Sequence, residues 1–179
     1  MSETSNKNQS DPHTGNNLEL LFRKPLLTDA KGIFSLVNSS EPLDKNSLYC
    51  FLLLCDHHSS SCIVAIKNNI VVGFITGYIH PQKNNTFFLW QVAVHREMRK
   101  QNLALSMMLE LFNRKELCKL QFLETTISPS NNASQKLFKK FAYAMKTEIN
   151  EKEYYDGSLF GSTSHEQENL FIIGPFKNN

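Results

Sequence analysis

The stretch LWQVAVHREMRKQNLALSMMLELF, residues 89–112, decides the fold. Trp90, Val92 and Val94 alternate with Leu89, Gln91 and Ala93 in a run rich in β-formers, which predicts an interior strand. Leu105, Met108, Leu109 and Phe112 then recur at helical spacing, so a helix follows. Between them, Arg99-Lys100-Gln101-Asn102-Leu103-Ala104 is a basic turn. It has small or left-handed-tolerant residues at Asn102 and Ala104, where main chain must approach a ligand closely. A helix start presents unpaired N–H groups; with the helix dipole and the flanking Arg96, Arg99 and Lys100 they suit a pyrophosphate. The plainer alternative is a solvated strand-to-helix turn with incidental basic residues.

Upstream, residues 1–17 are almost entirely polar and read as a disordered leader, leaving 18–179 as one domain. Leu18 to Lys24 predicts a first strand, and Thr28 is the candidate N-cap of a helix reaching Val37. Asn46 or Ser47 is placed to cap a strongly apolar second helix ending near His57. Ser61–Lys67, Ile70–Ile79 and Thr86–Val94 read as an antiparallel meander whose first turn, Asn68-Asn69, accepts the positive φ of a tight hairpin. Downstream, Leu120–Ile127 is a fifth strand, Asn131–Tyr143 a helix, Tyr154–Gln167 a loop, and Asn169–Ile173 the last strand.

At 179 residues, with 41% hydrophobic and 20% charged residues, the chain reads as one ordinary globular domain. A net charge of +2 argues against nucleic acid or an anionic membrane as partner, and no apolar run is long enough to span a bilayer. Cys50, Cys55, Cys62 and Cys118 form neither a CxxC pair nor a disulfide framework, and no signal peptide precedes them, so a reducing cytoplasm is expected. Cys55-Asp56-His57-His58 is too contiguous for a metal cluster, and no metal is expected.

Three carboxylates, Asp44, Glu124 and Glu166, are candidates for holding an amine or relaying its proton, Asp44 because Ser47 and Tyr49 lie beside it. Trp90 either packs in the core or walls a pocket.

The turn also resembles the acetyl-CoA-binding motif of the GNAT acyltransferases: Arg or Gln, two residues, Gly, one residue, then Gly or Ala. Arg99, Asn102 and Ala104 occupy those positions, with Asn102 where the family usually has Gly. The resemblance implies an α/β (α+β) fold with a mixed, twisted sheet of about six to seven strands and four helices, strands 4 and 5 splayed at the cofactor site. It implies acetyl-CoA as co-substrate, held by Val92, Ala93, Val94, Arg99, Lys100, Gln101, Asn102, Leu103 and Ala104. A second family signature is similar to Asn131, Ser134 and Phe138, adding those three to the cofactor set, with Phe138 where the family often has a proton-donating Tyr. Tyr143 or water would then supply that proton.

The segments Leu43–His57, Phe88–His95, Leu123–Thr126 and Leu170–Phe176 resemble more narrowly the branch of this family that acetylates a small diamino acid. That implies a cytoplasmic homodimer with Asp44, Trp90 and Glu124 as catalytic residues. The acceptor would be bound by Asp44, Ser47, Tyr49, Trp90, Gln91, Thr126, His165 and Glu166. The rival expectations are a peptide or protein N-acetyltransferase and a non-catalytic acetyl-CoA-binding sensor.

Overall fold

The computed structural model describes residues 20–41, 43–117, 119–161 and 165–177; the expected leader, 1–17, and Cys118 lie outside them. Seven strands form one sheet in the order β1-β2-β3-β4-β5-β7-β6. The strands are β1 (Leu21–Arg23), β2 (Ile63–Lys67), β3 (Ile70–Ile79), β4 (Thr86–Val94), β5 (Phe122–Ile127), β6 (Ile149–Tyr155) and β7 (Glu168–Ile173). Four helices accompany them: α1 (Ala30–Asn38), α2 (Leu48–His57), α3 (Leu103–Phe112) and α4 (Asn132–Ala144). The mixed seven-stranded sheet with four helices matches the expected class. The β2–β3 turn works as expected, with Asn68 at φ 52° and Asn69 at φ 61°, the positive pair that matches the strand twist.

The sheet separates two cores, because each strand sends alternate side chains to opposite faces. Against one face α3 and α4 bury Met107, Met108, Leu111, Phe138 and Phe141. Against the other, α1 and α2 bury Ile33, Leu36, Phe51 and Leu54. Each such side chain contributes about 1.5–3 kcal/mol on leaving water.

The regular alternation expected along β4 does not hold. Gln91 pairs with Thr76 and Leu89 with Gly77, so Trp90 is an extra, unpaired residue, a β-bulge. Phe87 and Leu89 therefore face the α3/α4 core, whereas beyond the bulge Val92 and Val94 take that side and Ala93 turns to the α1/α2 core. Gly77 permits this close approach, since a Cβ there would stand 2.6 Å from the Phe88 carbonyl oxygen. β4 and β5 run parallel and pair only at Thr86↔Phe122, Phe87↔Leu123 and Phe88↔Glu124. The bulge lies just past the last pair, and the two strands diverge from there.

Other boundaries move by a few residues. α1 starts after a 3-10 turn, Leu27–Asp29, in which the Asp29 carboxylate accepts the Leu26 N–H at 2.7 Å, so Thr28 is not the cap. Asp29 also takes both Arg23 nitrogens, tying β1 to this turn. The unexpected element is β6, half-exposed to exposed throughout and charged at Glu151, Lys152 and Glu153. It has no apolar period of its own and forms by pairing with β7 from Ile149↔Ile173 to Tyr155↔Glu168. Charges on such an edge also discourage pairing with other chains.

Candidate active site

Where β4 and β5 part, a cavity of about 400 Å³ opens between Leu89–Val92 on one strand and Thr125–Ser128 on the other. A second cavity of about 220 Å³ continues past Val94 to the turn before α3. The two are lobes of one cleft. β4 contributes Val92 to the first and Val94 to the second, and α4 contributes Ser134 and Phe138, then Ala133 and Leu137.

The turn at the second lobe has the backbone that its sequence requires. Lys100 (φ 64°) and Asn102 (φ 57°) are both left-handed. Asn102 precedes α3 without a side-chain cap, so the first-turn N–H groups have no side-chain partner there. Arg99, Lys100, Asn102, Leu103 and Ala104 line the lobe. Arg99 is tethered through Nε to the Val94 carbonyl at 3.2 Å. Lys136 and Lys140, one helical turn apart on α4, add cations that the motif did not indicate, and Lys140 reaches the Asn102 side-chain oxygen at 3.2 Å. Their i, i+4 spacing opposite a helix start is the signal that would have found them. Two members of the expected cofactor set lie elsewhere. Gln101 turns back to the Glu97 carbonyl at 3.1 Å, and Ala93 is buried in the α1/α2 core because the bulge reverses its face.

In the first lobe, Asn131, Ser134 and Phe138 line the wall from α4. The Asn131 side-chain oxygen caps α4 by accepting the Ser134 N–H at 3.1 Å, which leaves its NH2 for other partners. Phe138 carries no proton, and Tyr143, at 87% exposure, stands outside the cavity. The phenols inside belong to Tyr78 and Tyr155. Burial raises both above the usual tyrosine value, with Tyr154 adding to each shift, so both remain protonated at neutral pH.

The acceptor end of the lobe brings together Asp44, Trp90, Gln91 and Thr126 from the expected set. Trp90, pushed out at the bulge, is 41% exposed and forms a wall rather than core. Asp44 is held there by its main chain, whose carbonyl accepts the Gln91 side-chain NH2 at 2.9 Å.

Five expected residues are not gathered here. The Ser47 hydroxyl caps α2 through the Cys50 N–H, and Tyr49 faces solvent. Glu124, 5% exposed, is paired with the Lys83 ammonium at 2.7 and 3.0 Å and clamps the last β4–β5 register pair. Glu166 turns outward to the Ser130 N–H and hydroxyl. His165 stacks on Phe160 with ring centres 3.7 Å apart and buttresses that ring from outside.

In place of Glu166 the cavity receives Glu168, whose carboxylate accepts the Ser128 hydroxyl at 3.3 Å and whose β6 partner is Tyr155. Tyr78 stacked on Phe88, together with Tyr155 and Phe160, completes an aromatic wall. The arrangement offers two carboxylates for ammonium groups, aromatic faces that attract cations and exclude water, and a cationic turn for phosphates.

Comparison with known proteins bears on the same cleft. Residues 28–143 match the acetyltransferase (GNAT) family pattern. The chain is 42% identical over 153 residues to the L-2,4-diaminobutyric acid acetyltransferase of Virgibacillus pantothenticus, covering 86% of this chain and 96% of that one. It is 41% identical over 159 residues to the enzyme of that name from Halomonas elongata, covering 88% and 82% respectively. Among solved structures, the diaminobutyrate acetyltransferase EctA of Paenibacillus lautus, in complex with its substrate L-2,4-diaminobutyric acid and coenzyme A, superposes with a TM-score of 0.87. It shares 37% identity, with 91% of this chain and 99% of that one covered. The chain belongs to the GNAT acetyltransferase family, among its L-2,4-diaminobutyric acid acetyltransferases.

Proposed function

We propose that the chain transfers acetyl from acetyl-CoA to the γ-amine of L-2,4-diaminobutyrate, as a step of ectoine synthesis under osmotic stress, and works as a cytoplasmic homodimer. The observation that carries this reading is the divided cleft: a cationic, N–H-rich lobe at α3 joined to a lobe that ends in Asp44, Glu168 and an aromatic wall. Left-handed Asn102, the uncapped α3 start, Arg99, Lys136 and Lys140 suit the phosphates of acetyl-CoA. When bound, acetyl-CoA supplies an acyl thioester for attack by an amine.

The chain's own residues do the rest. Asp44 and Glu168 hold the ammonium that does not react. A carboxylate favours the charged form of an amine, whereas a dry aromatic surface disfavours it. Trp90, Phe88 and Phe160 therefore act on the reacting amine, lowering a pKa that begins at about 10.4. The edge of β4 beyond Phe88 has no β5 register partner and offers backbone N–H groups to a developing oxyanion. Tyr78 and Tyr155, both protonated, are the hydroxyls of the lobe able to return a proton to the departing thiolate.

Tyr155 and Phe160 stand on the wall of the lobe, and its volume of about 400 Å³ favours a small diamine over a polypeptide. Thiol release, assayed with diaminobutyrate, ornithine, lysine, putrescine and a peptide amine, tests the reading. Turnover is expected to be fastest with diaminobutyrate. Equal or faster turnover of the peptide, or no thiol release with any amine, would overturn it. Light scattering of the purified chain checks the dimer.

A further inference from the structure

Gln91 divides its carboxamide between two tasks. It is 4% exposed and lines the cavity; its Nε2 donates to the Asp44 carbonyl at 2.9 Å. Its Oε1 is buried with no partner among the described residues. The bulge at Trp90 is what sends Gln91 to this face, opposite Thr76, whose hydroxyl is likewise buried and unpartnered. Keeping such an oxygen dry and unbonded is costly, so a buried acceptor beside a ligand cavity points to a donor that arrives with the ligand.

The segment between α1 and α2 that carries Asp44 is fixed by Leu43, which packs against the α1/α2 core, and by few hydrogen bonds near Asp44. Among the described residues its other hydrogen bonds are internal, Leu43 N–H to the Ser40 carbonyl at 3.0 Å and the Asn46 side chain to the Asp44 carbonyl at 3.5 Å, or cap the flanking helices, from Ser39 and Ser40 to α1 and from the Cys50 N–H to Ser47. Asp44 and Lys45 are exposed. Among the described hydrogen bonds, Gln91 Nε2 is what joins this segment to the sheet.

We infer that Gln91 is a positioning and specificity residue of the acceptor end. Its NH2 holds the Asp44 main chain so that the carboxylate stays at the cavity, and its Oε1 accepts one N–H of the diamino acid's non-reacting ammonium. This rests on the diamino-acid reading above and deepens it. An ammonium has three N–H donors, and the Gln91 oxygen adds an unpartnered acceptor to the Asp44 and Glu168 carboxylates of the same lobe. The residue type follows from the two tasks. Glu in its place has no N–H for the Asp44 carbonyl and sets a charge against it, while Met fills the space and does neither.

Gln91→Glu and Gln91→Met, compared with the wild-type chain in steady-state kinetics and in limited trypsin digestion after Lys45, test the inference. Both variants are expected to raise the KM for diaminobutyrate at least about tenfold, with kcat and the KM for acetyl-CoA within about threefold. Both should be cut faster after Lys45, and diaminobutyrate, which is expected to slow that cut in the wild type, should protect neither. A wild-type KM for diaminobutyrate in both variants, or wild-type cutting and protection at Lys45, overturns the inference. If the wild type itself neither acetylates diaminobutyrate nor is protected by it, the substrate reading fails. Faster cutting of the variants after Lys45 would still support the anchor.

Discussion

Replacing Asn102 by glycine and by alanine probes the turn that the cofactor lobe is built on. Asn102 sits at φ 57° and ψ 18°, a left-handed conformation that costs most L-residues about 1–2 kcal/mol, Asn less, and glycine nothing. Glycine gives up the exposed bond from Lys140, about 0.5 kcal/mol at the low end of such bonds, and loosens the unfolded chain by a similar amount. Those losses offset the relief of strain, so the glycine variant should stay within about 1 kcal/mol of wild type in stability and within about threefold in coenzyme A affinity. Alanine has no such relief and should lose about 1–2 kcal/mol in total. If the loop keeps its shape, that loss appears as a fall in Tm of about 2–4 °C per kcal/mol. If the loop relaxes, it appears instead as weaker binding, about tenfold for 1.4 kcal/mol. Thermal unfolding and calorimetric titration with coenzyme A on the same preparations measure both parts. An alanine variant unchanged in both would refute the requirement for a left-handed residue. A glycine variant with a large loss of affinity would mean that the Asn102 side chain itself touches the ligand.

Asp44→Ala and Trp90→Ala should each reduce kcat/KM for diaminobutyrate at least about tenfold, or 1.4 kcal/mol, while coenzyme A affinity stays near wild type; either variant turning over normally makes that residue structural. Glu168→Gln should raise the KM for diaminobutyrate and Glu166→Gln should not, because only Glu168 lines the cavity, and the reverse result in the thiol-release assay would restore Glu166. Burial pushes the Asp29 carboxyl up, but the Arg23 guanidinium and the Leu26 N–H outweigh it and hold it below the usual value. The stabilisation is therefore complete above the unfolded value of about 3.9 and is lost as pH falls toward the depressed one. Asp29→Asn should lower Tm at neutral pH and flatten its acid-side fall, and an acid limb as steep as that of wild type would refute the linkage.

The core of the fold was readable because its signals are local. The runs of β-formers in β3 and β4, the helical spacing of Leu105 to Phe112 and the paired Asn68-Asn69 each lie within a few neighbouring residues. β6 was not readable, since INEKEYY becomes a strand only through β7. The site divides in the same way. The left-handed Asn102 follows from residue chemistry, whereas the choice of Glu168 over Glu166 depends on where β7 begins and which face it presents. A single bulge decides Ala93 as well: one unpaired residue at Trp90 reverses every side chain beyond it, and nothing local to residues 89–94 announces it. Lys83 and Glu124 are 41 residues apart, so the ion pair that joins them cannot be read along the chain.

Three register pairs alone join β4 to β5, so the sheet consists of a four-stranded and a three-stranded leaf sharing a short seam. Beyond the seam, two strand edges face each other across the cleft with their other sides already bonded to β3 and β7. Exposed on an outer surface, such edges would invite another chain to add itself. Turned inward, they form a slot for an extended, amide-bearing ligand that bonds both leaves at once. A ligand seated there acts as an eighth strand, and its binding energy enters the folding equilibrium directly, about 2.7 kcal/mol at a hundred times its Kd. The leaf seam is therefore where the free chain should open first, and amide exchange along Leu89–Val94 and Thr125–Ile127 should slow together when coenzyme A is added.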